Sequence, residues 1–236
     1  MSCLIELKQK LESIQQEDKD FFINVPFNEK EQAKTIGARW NPDAKSWYMP
    51  AGSDLTCFLT LPHYDWLPES LTPNYKANSY YIASTTASCW KCNAATTVYA
   101  IMLPPEFLER DIGDEPDEDE WETFPEMCIL SHVSNLPDSA AQIINKLSGN
   151  QYRIDYSKSS GSKYWMNHCE TCGTKQGDYE LINEADTPFT PICPDHTEYI
   201  TLFHIKEPIE LHSGGAKTGI HQTGYNIQTF ALEDAS

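Results

Sequence analysis

Two cysteine pairs in this chain have the same form. Cys89-Trp90-Lys91-Cys92 and Cys169-Glu170-Thr171-Cys172 each set two thiols three positions apart. A Cys-x-x-Cys turn aims both sulfurs at one point, and zinc takes four ligands in a tetrahedron, so two such turns complete a closed structural site. Each pair is followed by a residue that tolerates left-handed backbone, Asn93 after Cys92 and Gly173 after Cys172, which suits a tight turn around a metal. The expected chemistry is therefore zinc coordination by Cys89, Cys92, Cys169 and Cys172. Residues 93–168, 76 in all, separate the pairs, against about 15–20 in the compact pattern. The metal would then pin the two ends of a sub-domain together. A redox dithiol at either pair and an iron–sulfur cluster on all four thiols are the rival chemistries.

Other residues compete for the same role. Cys193 and His196, in "ICPDHT", are also three apart and are also legal zinc ligands, replacing one pair or helping a second ion. Thr197, β-branched, follows them and suits a tight turn poorly, so four-cysteine coordination is preferred. His168 stands beside Cys169. Cys3, Cys57 and Cys128 lie alone, as small buried apolar side chains do. The remaining histidines show no ligand or triad spacing. Catalytic signatures are missing. "GGAKTG" lacks the phosphate-loop spacing, no Gly-x-Ser-x-Gly occurs, and Pro116 stands where a calcium loop needs glycine. No catalytic residue is assigned, and an enzyme is not the expectation.

The elements that must position these residues read as follows. Leu4, Leu7, Leu11 and Ile14 line one face of a helix over residues 4–16, lying on the core or serving as a short dimerisation helix. "FFINVPF" has strand composition. Asn28 with Glu31 suggests a capping box for a helix to about Ile36, ended by Gly37. Residues 38–50 read as a hairpin turning at Asn41-Pro42-Asp43. Proline-rich residues 63–78 read as a linker, and residues from Tyr80 on as strands. Residues 106–122 hold ten acids against one arginine, a solvated loop on charge grounds. "LPDSAAQIINKLSG" reads as a helix between Pro137 and Gly149, followed by a hairpin into the second cysteine pair. The last 25 or so residues lack an apolar period.

Hydrophobic residues make up 40% of 236, enough for a packed core. The net charge of −18 disfavours duplex DNA and anionic membranes. No secretion signal and no apolar run of the roughly 20 residues a bilayer needs is visible. A cytoplasmic location is expected, where paired cysteines are more often metal ligands or redox centres than disulfides.

The string "INVPFNEKEQAKTIGARWNPDAKSWYMP", residues 23–50, resembles a small domain of unknown function found in conjugative-plasmid primases and other bacterial DNA-processing proteins. The match rests on Val25-Pro26-Phe27, Glu31, Ala33-Lys34, Gly37-Ala38-Arg39-Trp40 and Lys45-Ser46-Trp47-Tyr48. "SCWKC" and "YWMNHCETCGTKQGDYEL" also look like segments of bacterial proteins that carry it. The resemblance implies a bacterial or mobile-element origin and a place near DNA processing. Arg39, Trp40, Lys45, Trp47 and Tyr48 put cations among aromatics, which is how single strands are gripped. Residues 21–54 nevertheless hold four basic and four acidic side chains, and that balance favours Trp40 and Trp47 as core side chains.

The expectation is an α+β protein: a small strand–helix–hairpin unit plus a larger β-rich, zinc-ribbon-like domain with an inserted helix. The boundaries expected are an N-terminal amphipathic helix 1–20, the primase-associated domain 21–62, a linker 63–78, the zinc domain 79–210 with acidic loop 106–122, and a tail 211–236. The function expected is a zinc-stabilised binding or adaptor protein accessory to bacterial or mobile-element DNA processing. Its partner would be another protein sooner than single-stranded nucleic acid. An acidic decoy for nucleic-acid-binding sites, or an enzyme of another kind, is the alternative.

Overall fold

The computed structural model describes residues 3–112, 114, 118–221 and 223–229. It is an α+β protein with a large β-sheet and few helices. Two compact units are present: Met1–Thr72 with Arg110–Glu122, and Pro73–Glu109 with Thr123–Ser236. No helix among the described residues is long and apolar enough to cross a membrane.

In the first unit, α1 (Cys3–Gln16) buries Leu7 and Leu11 against Phe21, Ile23, Met49, Phe58 and Trp66. The leucine stripe thus lies on the core of its own chain. Strands β1 (Phe21–Ile23), β2 (Arg39–Asn41) and β3 (Ser46–Met49) form an antiparallel sheet of order β1-β3-β2. Helix α2 (Lys30–Thr35) sits between β1 and β2 in sequence. It ends at Gly37, φ +90°, where the Gly37 and Ala38 amides donate to Lys34 O and Ala33 O. The expected capping box does not form. A 3₁₀ turn over Phe27–Glu29 precedes the helix, so Asn28 lies inside that turn, and Glu31 pairs with Lys34 at 2.7 Å. The hairpin turn is set by Asn41, whose Oδ1 accepts from the Asp43 and Ala44 amides.

The stretch read as a linker carries structure. His63–Trp66 is a 3₁₀ turn that drives Trp66 to full burial, and β4 (Tyr75–Ala77) is a strand. The acidic stretch carries β7 (Phe107–Asp111) and β8 (Glu120–Phe124). Within it, Arg110 and Asp119 form a buried ion pair, and the Tyr64 hydroxyl donates to the same carboxylate at 3.0 Å. One matched cation lets part of an acid-rich segment pack. Residues 113 and 115–117 of that stretch lie outside the described residues.

The second unit is built on a sheet of nine strands among the described residues. Besides β4, β7 and β8 it contains β5 (Tyr80–Ser88), β6 (Ala95–Leu103) and β9 (Cys128–Asn135). Three more, β13 (Thr201–Ile205), β14 (Ile209–Lys217) and β15 (Asn226–Thr229), complete it. The order is β15-β13-β5-β6-β9-β14-β4-β7-β8. Ile82, Ile101, Leu130 and Val133 face helix α3 (Asp138–Ser148), while Ala83, Ala100, Met102 and Ile129 face Leu181, Ile182 and Phe189. Burial on both faces explains why "TTVYAIML" is nearly unbroken apolar sequence. Gly149 closes α3 at φ +53°. A separate sheet joins β10 (Tyr152–Tyr156), β11 (Lys163–His168) and β12 (Lys175–Gln176).

The expected tail is partly interior: β14 is hydrogen-bonded between β9 and β4. Its lack of apolar period has a steric cause. The register with β9 shifts between His212 and Ser213, His132 of β9 takes left-handed backbone at φ +56°, and a Cβ on Gly214 would come within 3.0 Å of the His132 Cβ. Ser213 donates its hydroxyl to Ser131 O at 2.7 Å. Residues 230–236 lie outside the described residues.

The left-handed residue His132 is held by Asp178, which precedes the π-helical turn Tyr179–Asn183. Its Oδ2 accepts the His132 amide at 2.6 Å, while Oδ1 has no hydrogen-bond partner among the described residues. Burial pushes this carboxyl up to about 7, against the opposing pull of the His132 amide. A carboxyl raised on folding favours the fold fully below its unfolded pKa and loses that contribution as pH rises through the folded value. Asp178→Asn is therefore expected to remove a decline in stability between about pH 4 and 7, worth up to about 1.4 kcal/mol per pH unit. Urea denaturation at several pH values checks this. Parallel pH profiles for wild type and variant would refute it.

Candidate metal centre

Each cysteine pair sits in a hairpin tip. Cys89 and Cys92 occupy the turn between β5 and β6, and Cys169 and Cys172 the turn between β11 and β12. The two turns have the same backbone. Cys89 N donates to Ala94 O and Asn93 N to Cys89 O, both at 2.9 Å. Cys169 N donates to Thr174 O at 2.9 Å and Gly173 N to Cys169 O at 2.8 Å. Asn93 has φ +58° and Gly173 φ +67°, as the residue after each second cysteine must if the turn is to fold back.

The tips face each other so that the four Sγ atoms lie within 4.8 Å of one another. Cys89 Sγ is 3.7 Å from Cys172 Sγ, and Cys92 Sγ is 3.7 Å from Cys169 Sγ. Four sulfurs at the usual Zn–S length around one ion would be about 3.8 Å apart. The thiols are unbonded to one another. The donor set thus fits a single soft, tetrahedral ion. A multi-iron cluster needs more room between its sulfurs. Cys89 and Cys169 are buried, Cys92 and Cys172 exposed.

Amide donors favour the thiolates, which are the ligating forms. Burial opposes ionisation of Cys89, but the Cys92 and Lys91 amides together with the Cys169 and Cys92 thiols outweigh it and draw its pKa down. The Thr174 hydroxyl and amide hold Cys172 at about 6. At Cys92 the Ala94 amide is overcome by burial and the neighbouring sulfurs, which push it up to about 12. Four thiols gathered without a cation cannot all ionise at neutral pH. A bound divalent ion would remove that repulsion.

Buried amide side chains tie the two hairpins together. Asn167 accepts the Tyr99 amide at 2.7 Å and returns a bond to Tyr99 O at 2.8 Å. Gln176 Nε2 donates to Cys89 Sγ at 3.4 Å, and the Glu170 amide donates to Thr96 Oγ1 at 3.0 Å. The Trp90 indole N–H donates to Lys175 O at 2.7 Å. Asn167, Gln176 and Thr96 were invisible to sequence reasoning, since a lone polar residue in a strand carries no sign of its partner.

The other sequence candidates stand apart from the sulfurs. Cys193 is exposed at the start of the 3₁₀ turn Pro194–Tyr199. His196 lines a cavity of about 610 Å³ with Thr85, Thr86, Asp186 and Tyr199. His168 turns away, its Nε2 3.1 Å from Asp155 Oδ2. Lys175 and His168 together hold the Asp155 carboxyl far below the usual range. Of the five hairpin residues, Trp40 and Trp47 are cross-strand partners in contact at 5.8 Å, and Lys45 joins them in one groove. Arg39 and Tyr48 form a row with Phe22 on the opposite face of the sheet. Trp47 packs against the core, whereas Trp40 is 50% exposed.

Comparison with known proteins agrees with the motif in the first unit. Residues 21–68 match the family described as domain of unknown function DUF5710. One curated DNA primase TraC of Escherichia coli is 51% identical over 37 residues, 16% of this chain and 3% of the primase. Another DNA primase TraC of Escherichia coli is 38% identical over 92 residues, 39% of this chain and 8% of the primase. The chain therefore matches only a small fraction of the length of these relatives. No solved structure matches.

Proposed function

We propose that Cys89, Cys92, Cys169 and Cys172 hold one structural zinc ion. On this reading the chain is a zinc-stabilised binding or adaptor module accessory to bacterial or mobile-element DNA processing. The observation that carries it is the meeting of two hairpin tips, 76 residues apart in sequence (93–168), at tetrahedral sulfur spacing. Four protein ligands leave no position for a catalytic water, so the ion fastens and does not react. The β11–β12 and β5–β6 hairpins are then the two halves of a zinc-ribbon-like centre. The similarity to DNA primase TraC supports the DNA-processing context.

Elemental analysis of the purified chain should give one zinc and no iron per molecule. Cys→Ser at any of the four positions should remove the zinc, and Cys193→Ser should retain it. A metal-free wild type, or zinc that survives loss of Cys89 or Cys172, would overturn the assignment.

A further inference from the structure

The first unit holds a second feature, independent of the metal. A groove of about 350 Å³ runs between the segment Asn24–Pro26 and the hairpin residues Trp40, Lys45 and Trp47. One wall is an indole left half in water: Trp40 stands on β2, the edge strand of its sheet, braced edge-on by Trp47. The core did not need this ring, for Ile23, Met49, Phe58 and Trp66 are already sealed beneath the sheet. A second aromatic, Phe27, is 82% exposed with Lys30 Nζ 4.3 Å above its ring.

Charge in this region is neutral in sum but not in placement. Glu31 and Lys34 pair with each other, and the other acids of residues 21–54, Glu29, Asp43 and Asp54, keep their charge but do not line the groove. Lys45 is the one charged side chain that lines the groove, and it forms no ion pair among the described residues. In a chain of net charge −18, a groove that sets an unpaired cation beside a half-exposed indole is a local exception. Asn24 also lines the groove. A stacking surface beside an unpaired cation is what a polyanion with flat bases requires. A proline-rich peptide would use the ring but leave the Lys45 cation idle.

We infer that this groove binds single-stranded nucleic acid, with a base stacked on Trp40 and the adjoining phosphate held by Lys45. The inference supplies a ligand for the DNA-processing context proposed above and does not depend on the zinc centre.

The test is fluorescence anisotropy of a labelled deoxythymidine oligonucleotide with the full chain at low salt. Trp40→Ala should weaken binding by about 5- to 150-fold, the loss of one base–aromatic stack. Trp40→Phe should keep most of the affinity. Lys45→Gln should reduce the slope of log affinity against log salt by about 0.7, one phosphate contact on a single strand. Zinc content and the denaturation midpoint, read on the same samples, should be unchanged in all three variants. If so, failure of the metal assignment cannot mimic failure here. The inference falls if the oligonucleotide does not bind at low salt, or if Trp40→Ala and Lys45→Gln bind as wild type. It also falls if a proline-rich peptide binds the groove and the oligonucleotide does not.

Discussion

Replacing Cys169 by serine is expected to strip the second unit of most of its stability. Serine offers an alcohol where the site offers a thiolate, and three sulfurs are left without a tetrahedron. Structural zinc in finger peptides binds with about 10–16 kcal/mol of apparent free energy, while whole domains are stable by about 5–15 kcal/mol. With the proposed zinc bound, even a fraction of that term would be comparable with everything else that holds the unit. The effect should spread beyond the hairpin tips. Asn167 and Gln176 are buried, at 1% and 3% exposure, and the bonds they make across the two hairpins depend on the tips staying in register. A polar side chain left buried without its partner adds a further cost. Chelation of wild-type protein should reproduce the variant's denaturation curve, and Cys193→Ser, on an exposed thiol away from the cluster, should match wild type. A Cys169→Ser chain with an unshifted urea midpoint would show that the sulfurs carry no stabilising ion.

Trp66→Ala should be the most damaging single substitution in the first unit, by about 3–5 kcal/mol on the scale of large core truncations. The ring is fully buried and packs with Leu7, Leu11, Met49 and Phe58. Its N–H donates to Glu29 Oε2 at 2.6 Å, so truncation also strands a carboxylate that the folded unit had partnered. The same residue's carbonyl accepts the Asn24 amide at 2.7 Å, which fixes the end of β1. Trp66→Phe keeps one aromatic ring and loses the donor and part of the volume, so it should cost clearly less than Trp66→Ala. Denaturant midpoints with unchanged m-values would measure both. A loss below about 1 kcal/mol for Trp66→Ala would mean that the indole is not the keystone of this core.

Neither the importance of Trp66 nor its burial could be read from its neighbourhood. It stands between Pro62 and Pro68 in a stretch with no apolar period, and a single buried ring on a 3₁₀ turn leaves no repeating pattern. The DUF5710 match, by contrast, extends to residue 68 and so takes it in. The first helix, the small sheet and α3 were legible because each repeats a signal: a leucine stripe, aromatic strands about Asn-Pro-Asp, Pro137 before and Gly149 after. The capping box failed because Asn28 was consumed by a turn that its own sequence did not announce. β14 was missed because a strand crossing a bulge needs glycine and serine where an ordinary strand would show apolar residues.

The sequence by itself determined what is local at the candidate centre: the ligand type, the spacing of three within each pair, and the residues of positive φ that close each turn. These depend on a few consecutive dihedral angles. Only the tertiary structure decided which distant groups meet. It brought the two pairs within 4.8 Å of each other, left Cys193 and His196 elsewhere, and supplied Asn167 and Gln176 as the ties. It also left Trp40 half in solvent while sinking Trp47 towards the core. Both indoles are tryptophans on paired strands with the same side facing the core. Their difference comes from position in the sheet, edge against centre, which emerges only when the strands have been assembled.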